Sequence, residues 1–312
     1  MKTLELKDLN TVTIESEIIS LRELQESNRD DLVRIVKNYS VYSTALLYLV
    51  FLEDNKIFEE KVKSYDITLQ NLIPRFYAIK DKYPYSGSKT PEGQKQFKKI
   101  LEYVKNNFPD TVLYSPYGPI KQSPSEKEPF VKSVEEFIHN GIVARKEEPK
   151  RKMFRLGIFI EETIIGCVTF DFFITSIDDY SATGDIGIFI EPKYREIKDK
   201  DNNEIGKLWR EVFYAVSVFI KNIFPHDPAN MYISATTHPL NWATERMLEK
   251  FNFVGIKNSE YGKRKYYVIP YNYFLATFLN KSWERDRYQV QSDKVMATIN
   301  GQSIDISVKQ GE

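Results

Sequence analysis

The chain has little cysteine and little histidine for its 312 residues: one cysteine, Cys167, and three histidines, His139, His226 and His238. A single cysteine cannot form an internal disulfide, and it excludes a zinc site built from several cysteines. The histidines are too scattered to form a metal-ligand pattern. We therefore expect no metal cofactor. The single cysteine gives no indication of an oxidising compartment.

Net charge is also absent, because 44 Lys and Arg residues balance 44 Asp and Glu residues. This excludes the electrostatic footprint of a general nucleic-acid binder, although a local basic patch is compatible with it. The most apolar window, Val41 to Leu52, is about 12 residues long and falls short of the ~20 needed to span a bilayer. The first ten residues lack the apolar core of a signal peptide. A cytoplasmic protein without a membrane segment is expected.

Strand and helix patterns alternate along the chain. The segment 17–24 is strand-like, and the helix-start sequence SNRDD follows it. Residues 55–130 differ: Thr90-Pro91 predicts a helix start, and a Pro-rich stretch follows, so we interpret this region as a mostly helical insertion. Near the C-terminus, Asn300-Gly301 between alternating residues predicts a β-hairpin.

The second half carries the clearest order of elements. The sequence predicts a helix after a Ser133 capping box, and then three strands. The strands are Arg155–Ile160, Thr163–Phe172 and, after a Thr183-Gly184 turn, Asp185–Ile190. A polar loop, a helix over Lys207–Lys221, the strand Met231–Ala235, a helix opened by Asn241 and two further strands follow. This order predicts an α/β (α+β) fold with a mixed sheet.

Four segments in this order carry a resemblance to a known family. They are RLGIFIEETIIGCVTFDF (155–172), DIGIFIEPKYR (185–195), EIGKLWREVF (204–213) and NWATERMLEKFNFVG (241–255). With the opening strand and helix, they resemble the GNAT superfamily of N-acetyltransferases, in particular its ribosomal-protein N-terminal acetyltransferases. The match covers about residues 14–40 and 131–275.

The resemblance implies a GNAT fold: a mixed central sheet with splayed fourth and fifth strands, flanked by helices. It places a GNAT-like domain at 14–278, with its core at 14–54 and 131–278 and the helical insertion at about 55–130. Residues 279–312 are then a C-terminal extension with a hairpin. The implied activity is transfer of an acetyl group from acetyl-CoA to a primary amine by direct attack in a ternary complex.

The resemblance also implies where acetyl-CoA binds as co-substrate. The exposed backbone of the fourth strand would pair with the amide-rich pantetheine arm, and the pyrophosphate would lie at the N-terminus of the helix opened by Gly206. The implied cofactor-binding residues are Ile188, Phe189, Ile190, Arg195, Ile205, Gly206, Lys207 and Asn241. The loop between Arg195 and Gly206 is longer than the family's, and Glu204 stands in place of the first glycine.

The attacking amine must be neutral, so a general base is required. Asp185 is the first candidate, and its alternative interpretation is a turn residue. Glu191 is the second, alternatively a solvated carboxylate at a strand end, and His238 is the third, alternatively a structural loop residue. The family's tyrosine acid corresponds to Leu248 here, and nearby tyrosines do not fit the motif.

Two further hypotheses remain open at this stage. A catalytically degenerate GNAT-like module would serve as a structural or partner-binding protein, and the long loop and missing tyrosine favour it. An acyltransferase acting on nucleic acid is disfavoured by the neutral net charge. The acceptor could be a small molecule or a protein, and the insertion and tail could contact a second copy or a protein partner.

Overall fold

The computed structural model describes eleven segments of the chain, and everything below refers to them. They are residues 12–39, 90–107, 134–139, 151–176, 181–198, 204–223, 231–237, 242–256, 265–279, 295–299 and 302–305. The predicted capping residue Ser133 and most of the predicted insertion lie outside them.

The described strands form one large sheet and one small hairpin. They are β1 (Val12–Ser16), β2 (Ser20–Glu23), β3 (Arg151–Ile160), β4 (Thr163–Ser176), β5 (Ser181–Ile190), β6 (Glu196–Lys198), β7 (Glu204–Lys207), β8 (Tyr232–Thr237), β9 (Val254–Ile256), β10 (Lys265–Pro270), β11 (Val295–Ile299) and β12 (Gln302–Asp305). The ten-stranded sheet has the order β12-β11-β1-β2-β3-β4-β5-β8-β10-β9, and β6 pairs only with β7.

Helices lie on both faces of the large sheet. They are α1 (29–39), α2 (Pro91–Asn107), α3 (134–139), α4 (Leu208–Ile223), α5 (Trp242–Lys250) and α6 (Tyr271–Leu279). The predicted start of α2 is confirmed, because the Thr90 hydroxyl accepts a hydrogen bond from the Gly93 amide at 2.9 Å.

Strand alternation divides the buried side chains between the two faces. Ile186 and Ile190 of β5 belong to the larger core, which also contains the apolar faces of α4, α5 and α6. Cys167 and Phe189 belong to a smaller core shared with α1 and α3. Asp185 shares the face of Phe189 by alternation, so its carboxylate lies on the α1 side of the sheet.

The pairing of β5 with β8 is the one parallel pairing among the strands described, and it is short. Its register runs only from Thr183 opposite Tyr232 to Asp185 opposite Ser234. Beyond Asp185, the half of β5 from Ile186 to Ile190 pairs with β4 alone among the described strands. The predicted splay between the fourth and fifth strands is therefore present, and it lies between β5 and β8.

The two terminal segments meet at one edge of the sheet. The predicted hairpin is confirmed, since Ile299 pairs with Gln302 across Asn300-Gly301, and β11 in turn pairs with β1. Val295 and Ala297 are fully buried in the larger core, so this hairpin extends the main sheet. The strand β1 was not predicted, because its core-facing side chains are too few to stand out in the sequence.

Two predicted boundaries were wrong. Thr183 and Gly184 lie inside β5 and do not form a turn, because both continue the ladder with β4. The helix predicted over Lys207–Lys221 begins at Leu208 and ends at Ile223, because Gly206 and Lys207 belong to β7. Glycine in a paired strand and glycine before a helix look alike in sequence.

The close approach of β4 to β5 requires a glycine at position 166. A Cβ there would lie 2.3 Å from the Phe189 carbonyl oxygen and 3.0 Å from the Ile190 Cα, both backbone atoms that cannot rotate away. We expect Gly166→Ala to lower the free energy of unfolding by about 1–3 kcal/mol, measured by urea denaturation.

Gly187→Ala is the matched control, because its added Cβ would meet only the Thr169 hydroxyl, at 2.8 Å. A threonine side chain can rotate, so this variant should lose less than about 1 kcal/mol. Equal losses in the two variants would contradict the backbone explanation.

Candidate active site

The parted strands leave backbone groups of β5 facing a cleft. The Glu191 amide donates to the Ile165 carbonyl at 2.8 Å, toward β4, whereas the Gly184 carbonyl accepts from the Ser234 hydroxyl at 3.1 Å, toward β8. Because backbone groups alternate in direction along a strand, the amides of Ile188 and Ile190 face the cleft.

The same alternation corrects one of the predicted cofactor-binding residues. The amide and carbonyl of Phe189 point toward β4, and its side chain is buried in the core beneath α1. Phe189 is therefore removed from the backbone groups that could pair with a pantetheine arm. Ile188 and Ile190 remain in that set as a proposal.

Asp185 lies at the last paired position before the strands separate. Its carboxylate oxygen Oδ1 accepts a hydrogen bond from the hydroxyl of Ser234 at 2.9 Å, and Ser234 itself is only 3% exposed. Across the other ladder, Asp185 stands opposite Asp171 of β4. The Asp185 side chain is exposed, so a carboxylate with a fixed orientation is available at the fork of the cleft.

Glu191 has a different environment from the solvated strand end that was its alternative interpretation. It is 3% exposed, and its carboxylate accepts hydrogen bonds from Nη1 of Arg34 at 3.0 and 3.2 Å and from Nδ2 of Asn38 at 2.9 Å. The ammonium of Lys193 lies 3.7 Å away. Both oxygens of Glu191 are thus engaged by α1.

The ion pair with Glu191 also favours the charged form of Arg34. Burial opposes the charged guanidinium, but the hydrogen bond and negative charge of Glu191, helped by Asp31, outweigh it and raise the pKa of Arg34.

The predicted pyrophosphate loop contains a hairpin that sequence reasoning did not foresee. Glu196 pairs with Lys207 in the β6–β7 hairpin, and their side chains form an ion pair at 3.1 Å. At its base, the Leu208 amide donates to the Arg195 carbonyl at 3.0 Å. Arg195 and the start of α4 are therefore adjacent in space, and the longer loop is an insertion that leaves this junction closed.

Gly206 does not open the helix, contrary to prediction, because it is paired with Ile197 within the hairpin. Arg195 donates from Nε to the Ile190 carbonyl at 3.3 Å, and Lys207 is paired with Glu196. The backbone of Ile205 lies in β7. His238 and Asn241 fall outside the described residues.

Three other residues considered in the sequence are poor proton donors or nucleophiles. Leu248, at the position of the family's tyrosine acid, is 3% exposed. Burial, with the charges of Glu245 and Glu249, raises the pKa of Tyr267 to about 12. Burial likewise raises the pKa of the Cys167 thiol far above its usual value, and the positive charge of Arg155 offsets only part of this.

Sequence reasoning missed Arg34, Asn38 and Ser234 as residues of the site. Arg34 and Asn38 are four residues apart on α1 and so project from the same face, the one spacing signal that could have paired them. Ser234 sits in a short strand whose partner became apparent only from the parallel register.

Comparisons with known proteins give matches only among solved structures. No protein-family model matches the sequence, and no curated protein matches it. A GNAT-family acetyltransferase from Bacillus anthracis is 14% identical with a TM-score of 0.36, covering 83% of this chain and 99% of that one. Mycobacterium smegmatis RimJ in complex with CoA-disulfide is 10% identical with a TM-score of 0.39, covering 90% and 96%.

A third structure is the spermidine N-acetyltransferase from Vibrio cholerae in complex with CoA and spermine. It is 13% identical with a TM-score of 0.34, covering 82% of this chain and 98% of that one. These likenesses are slight, so the fold assignment depends on the strand order and on the splay of β5 from β8. The mixed sheet, its flanking helices and the parting of β5 from β8 agree with the fold class predicted from the sequence.

Each helix of the described segments is too short or too polar to span a bilayer. The same segments contain no group of three or more His, Cys, Asp or Glu residues that could hold a metal ion.

The closed base of the β6–β7 hairpin predicts that the hairpin can be removed. Replacing Ile197–Gly206 by Asn-Gly joins Glu196 to Lys207 through a two-residue turn and keeps the bond from Leu208 to Arg195. We expect a change of less than about 1 kcal/mol in the free energy of unfolding. Calorimetry with acetyl-CoA, the co-substrate that the sequence predicts, should give an affinity within about threefold of wild type. A tenfold loss of affinity without a loss of stability would instead assign Ile205 or Gly206 to cofactor binding.

Proposed function

We propose that this chain is an acetyl-CoA-dependent N-acetyltransferase that transfers the acetyl group to a primary amine by direct attack in a ternary complex. The parting of β5 from β8 after Asp185 is the observation that carries the proposal. A strand left without a partner along one side offers amides and carbonyls to an extended ligand, and the pantetheine arm is an extended chain with two amides.

The end of the same strand supplies the other half of a CoA site. The residues from Pro192 to Arg195 lie beside the N-terminus of α4, because the Leu208 amide bonds to the Arg195 carbonyl. Backbone amides and the helix dipole favour an anion at such a helix end. Lys193 and Arg195 would add positive charge there. Arg195 also donates a hydrogen bond from Nε to the Ile190 carbonyl. The diphosphate would lie at this junction, with the arm running along β5 toward Asp185.

Asp185 is the base that the geometry favours among the three candidates. Its carboxylate is exposed at the fork of the cleft and is oriented by Ser234, whereas the Glu191 carboxylate is buried against α1. It would accept the proton of the attacking amine directly or through one water. The tetrahedral adduct then collapses and expels the CoA thiolate, which takes a proton from solvent, since Tyr267 and Leu248 cannot provide one.

Positioning supplies the rest of the acceleration in this proposal. Holding an amine against a thioester in one cleft replaces a bimolecular encounter, and effective molarities of such arrangements reach ~10⁵ M or more. We place the reaction in the cytoplasm, where acetyl-CoA is available. The acceptor is an amine on a small molecule or a protein.

A second candidate function is favoured by one observation. The β6–β7 hairpin stands where a short glycine loop would be expected, and it brings Glu196 and Glu204 near the start of α4. Carboxylates beside a diphosphate repel it unless they are paired, as Glu196 is with Lys207. A non-catalytic GNAT-like module that binds a protein partner would tolerate this hairpin without cost.

Isothermal titration calorimetry with two ligands separates these functions. Acetyl-CoA should bind at least about tenfold more tightly than 3′-phosphoadenosine 5′-diphosphate, because the pantetheine arm adds two or three backbone hydrogen bonds. This nucleotide is the matched control, since it keeps the adenosine, the 3′-phosphate and the diphosphate but lacks the arm. Absence of acetyl-CoA binding at millimolar concentration would favour the non-catalytic module.

Asp185→Asn tests the base. The amide keeps the size and the hydrogen bond from Ser234 but cannot take a proton, so we expect acetyl transfer to fall by about 10²–10⁴-fold while acetyl-CoA affinity stays unchanged. Release of CoA thiol is measured with spermidine and with a peptide bearing a free N-terminus. Asp171→Asn, on the neighbouring strand, should lose far less. Full activity of Asp185→Asn would remove Asp185 from the mechanism.

A further inference from the structure

No described strand pairs with the splayed half of β5 on the β8 side, so its far end needs other support. The Glu191 amide bonds to Ile165 of β4, and Nε of Arg195 donates to the Ile190 carbonyl. These two bonds fix the backbone at the point where β5 ends. The side chain of Glu191 then reaches out of the strand to a different element.

That element is α1. The Glu191 carboxylate, with 4% of its side chain exposed, accepts from Arg34 and from Asn38. These donors are four residues apart, about one helical turn, so both point from one face of α1 to the same carboxylate. Separating Glu191 from these donors would leave its buried charge uncompensated, so the pair holds the carboxylate to α1 even though such a pair need not add net stability.

Ring contacts strengthen the same junction. Tyr39 of α1 meets Phe189 edge to face, with ring centroids 6.1 Å apart, and the Arg195 guanidinium lies 5.4 Å from the Tyr39 ring. We name this set the α1–β5 latch; its members are Arg34, Asn38, Tyr39, Phe189, Glu191 and Arg195. The latch includes Phe189 of the proposed cofactor strand β5, and through Arg195 it bonds to the carbonyl of Ile190 on the same strand.

We propose that Glu191 is a positioning residue that couples α1 to the cofactor strand, so that acetyl-CoA seated on β5 also fixes α1. The inference rests on the proposed function. Asp185 and Phe189 share one face of β5, so an amine that reaches Asp185 approaches from the side on which α1 lies. Glu191 would therefore set where the acceptor lies relative to the thioester, and it is not the base.

Hydrogen exchange with acetyl-CoA as the only ligand tests the coupling and needs no acceptor. In the wild type, acetyl-CoA should slow amide exchange at 186–190 and also at 29–39. In Glu191→Gln, binding and protection at 186–190 should persist, while the protection at 29–39 falls by about tenfold. The variant should fold, because Arg34 keeps 42% of its side chain in solvent and can remain charged without its partner.

Arg34→Lys is the conservative rescue. A single nitrogen of Arg34 contacts both Glu191 oxygens, so one lysine ammonium can replace it, and protection at 29–39 should be retained. Arg34→Gln should lose it. If the ion pair were only structural, the protection at 29–39 in both variants would follow their thermal stability. Melting curves measure that stability in parallel.

Glu135→Gln is the matched control for another ion pair made by α1. It breaks the exposed 2.9 Å pair between Arg29 of α1 and Glu135 of α3, and it should leave the acetyl-CoA effect on 29–39 intact. Protection of 29–39 that survives in Glu191→Gln, or that is absent in the wild type despite binding, would overturn the coupling alone. No binding of acetyl-CoA by the wild type would overturn the proposed function and the coupling with it.

Discussion

The half-paired state of β5 is the constraint on which the rest of this structure depends. A strand that pairs along its whole length is satisfied by its neighbours, whereas β5 pairs with β8 only from Thr183 to Asp185. Polar backbone groups left over in a protein must find water or a ligand. The cleft follows from this. The need for support at Glu191 follows as well, because the preceding residues of β5 are held by β4 on one side and have parted from β8 on the other. Asp185 owes its position at the fork to the same boundary.

The sequence predicted the parts that depend on local chemistry. Asn300-Gly301 specifies a tight hairpin and Thr90-Pro91 a helix start, because both signals act through the backbone conformation of a few adjacent residues. The order of strands and helices around Asp185 also emerged, since hydrophobic periodicity is a property of each element alone. The resemblance then supplied the splay, which no local pattern encodes.

What the sequence could not predict depends on contacts between distant segments. Glu191 reads as a solvated carboxylate before a proline, and its burial follows only from Arg34 and Asn38, which precede it by a long stretch of chain. Gly206 reads as a helix opener until its pairing with Ile197 is known. Phe189 lies on β5, the proposed cofactor strand, but the direction of its amide follows from the register of β5 with β4. Each of these errors comes from tertiary pairing that overrides a local signal.

The position of β1 between β2 and β11 has a consequence for biosynthesis. Residues 12–16 leave the ribosome long before residues 295–299, which are their hydrogen-bonding partner on one side. Until then, β1 presents an open edge, and contacts of such long sequence separation form slowly. A nascent chain therefore carries an uncovered strand edge until β11 has been synthesised, which makes translation speed and chaperone capture relevant to its yield.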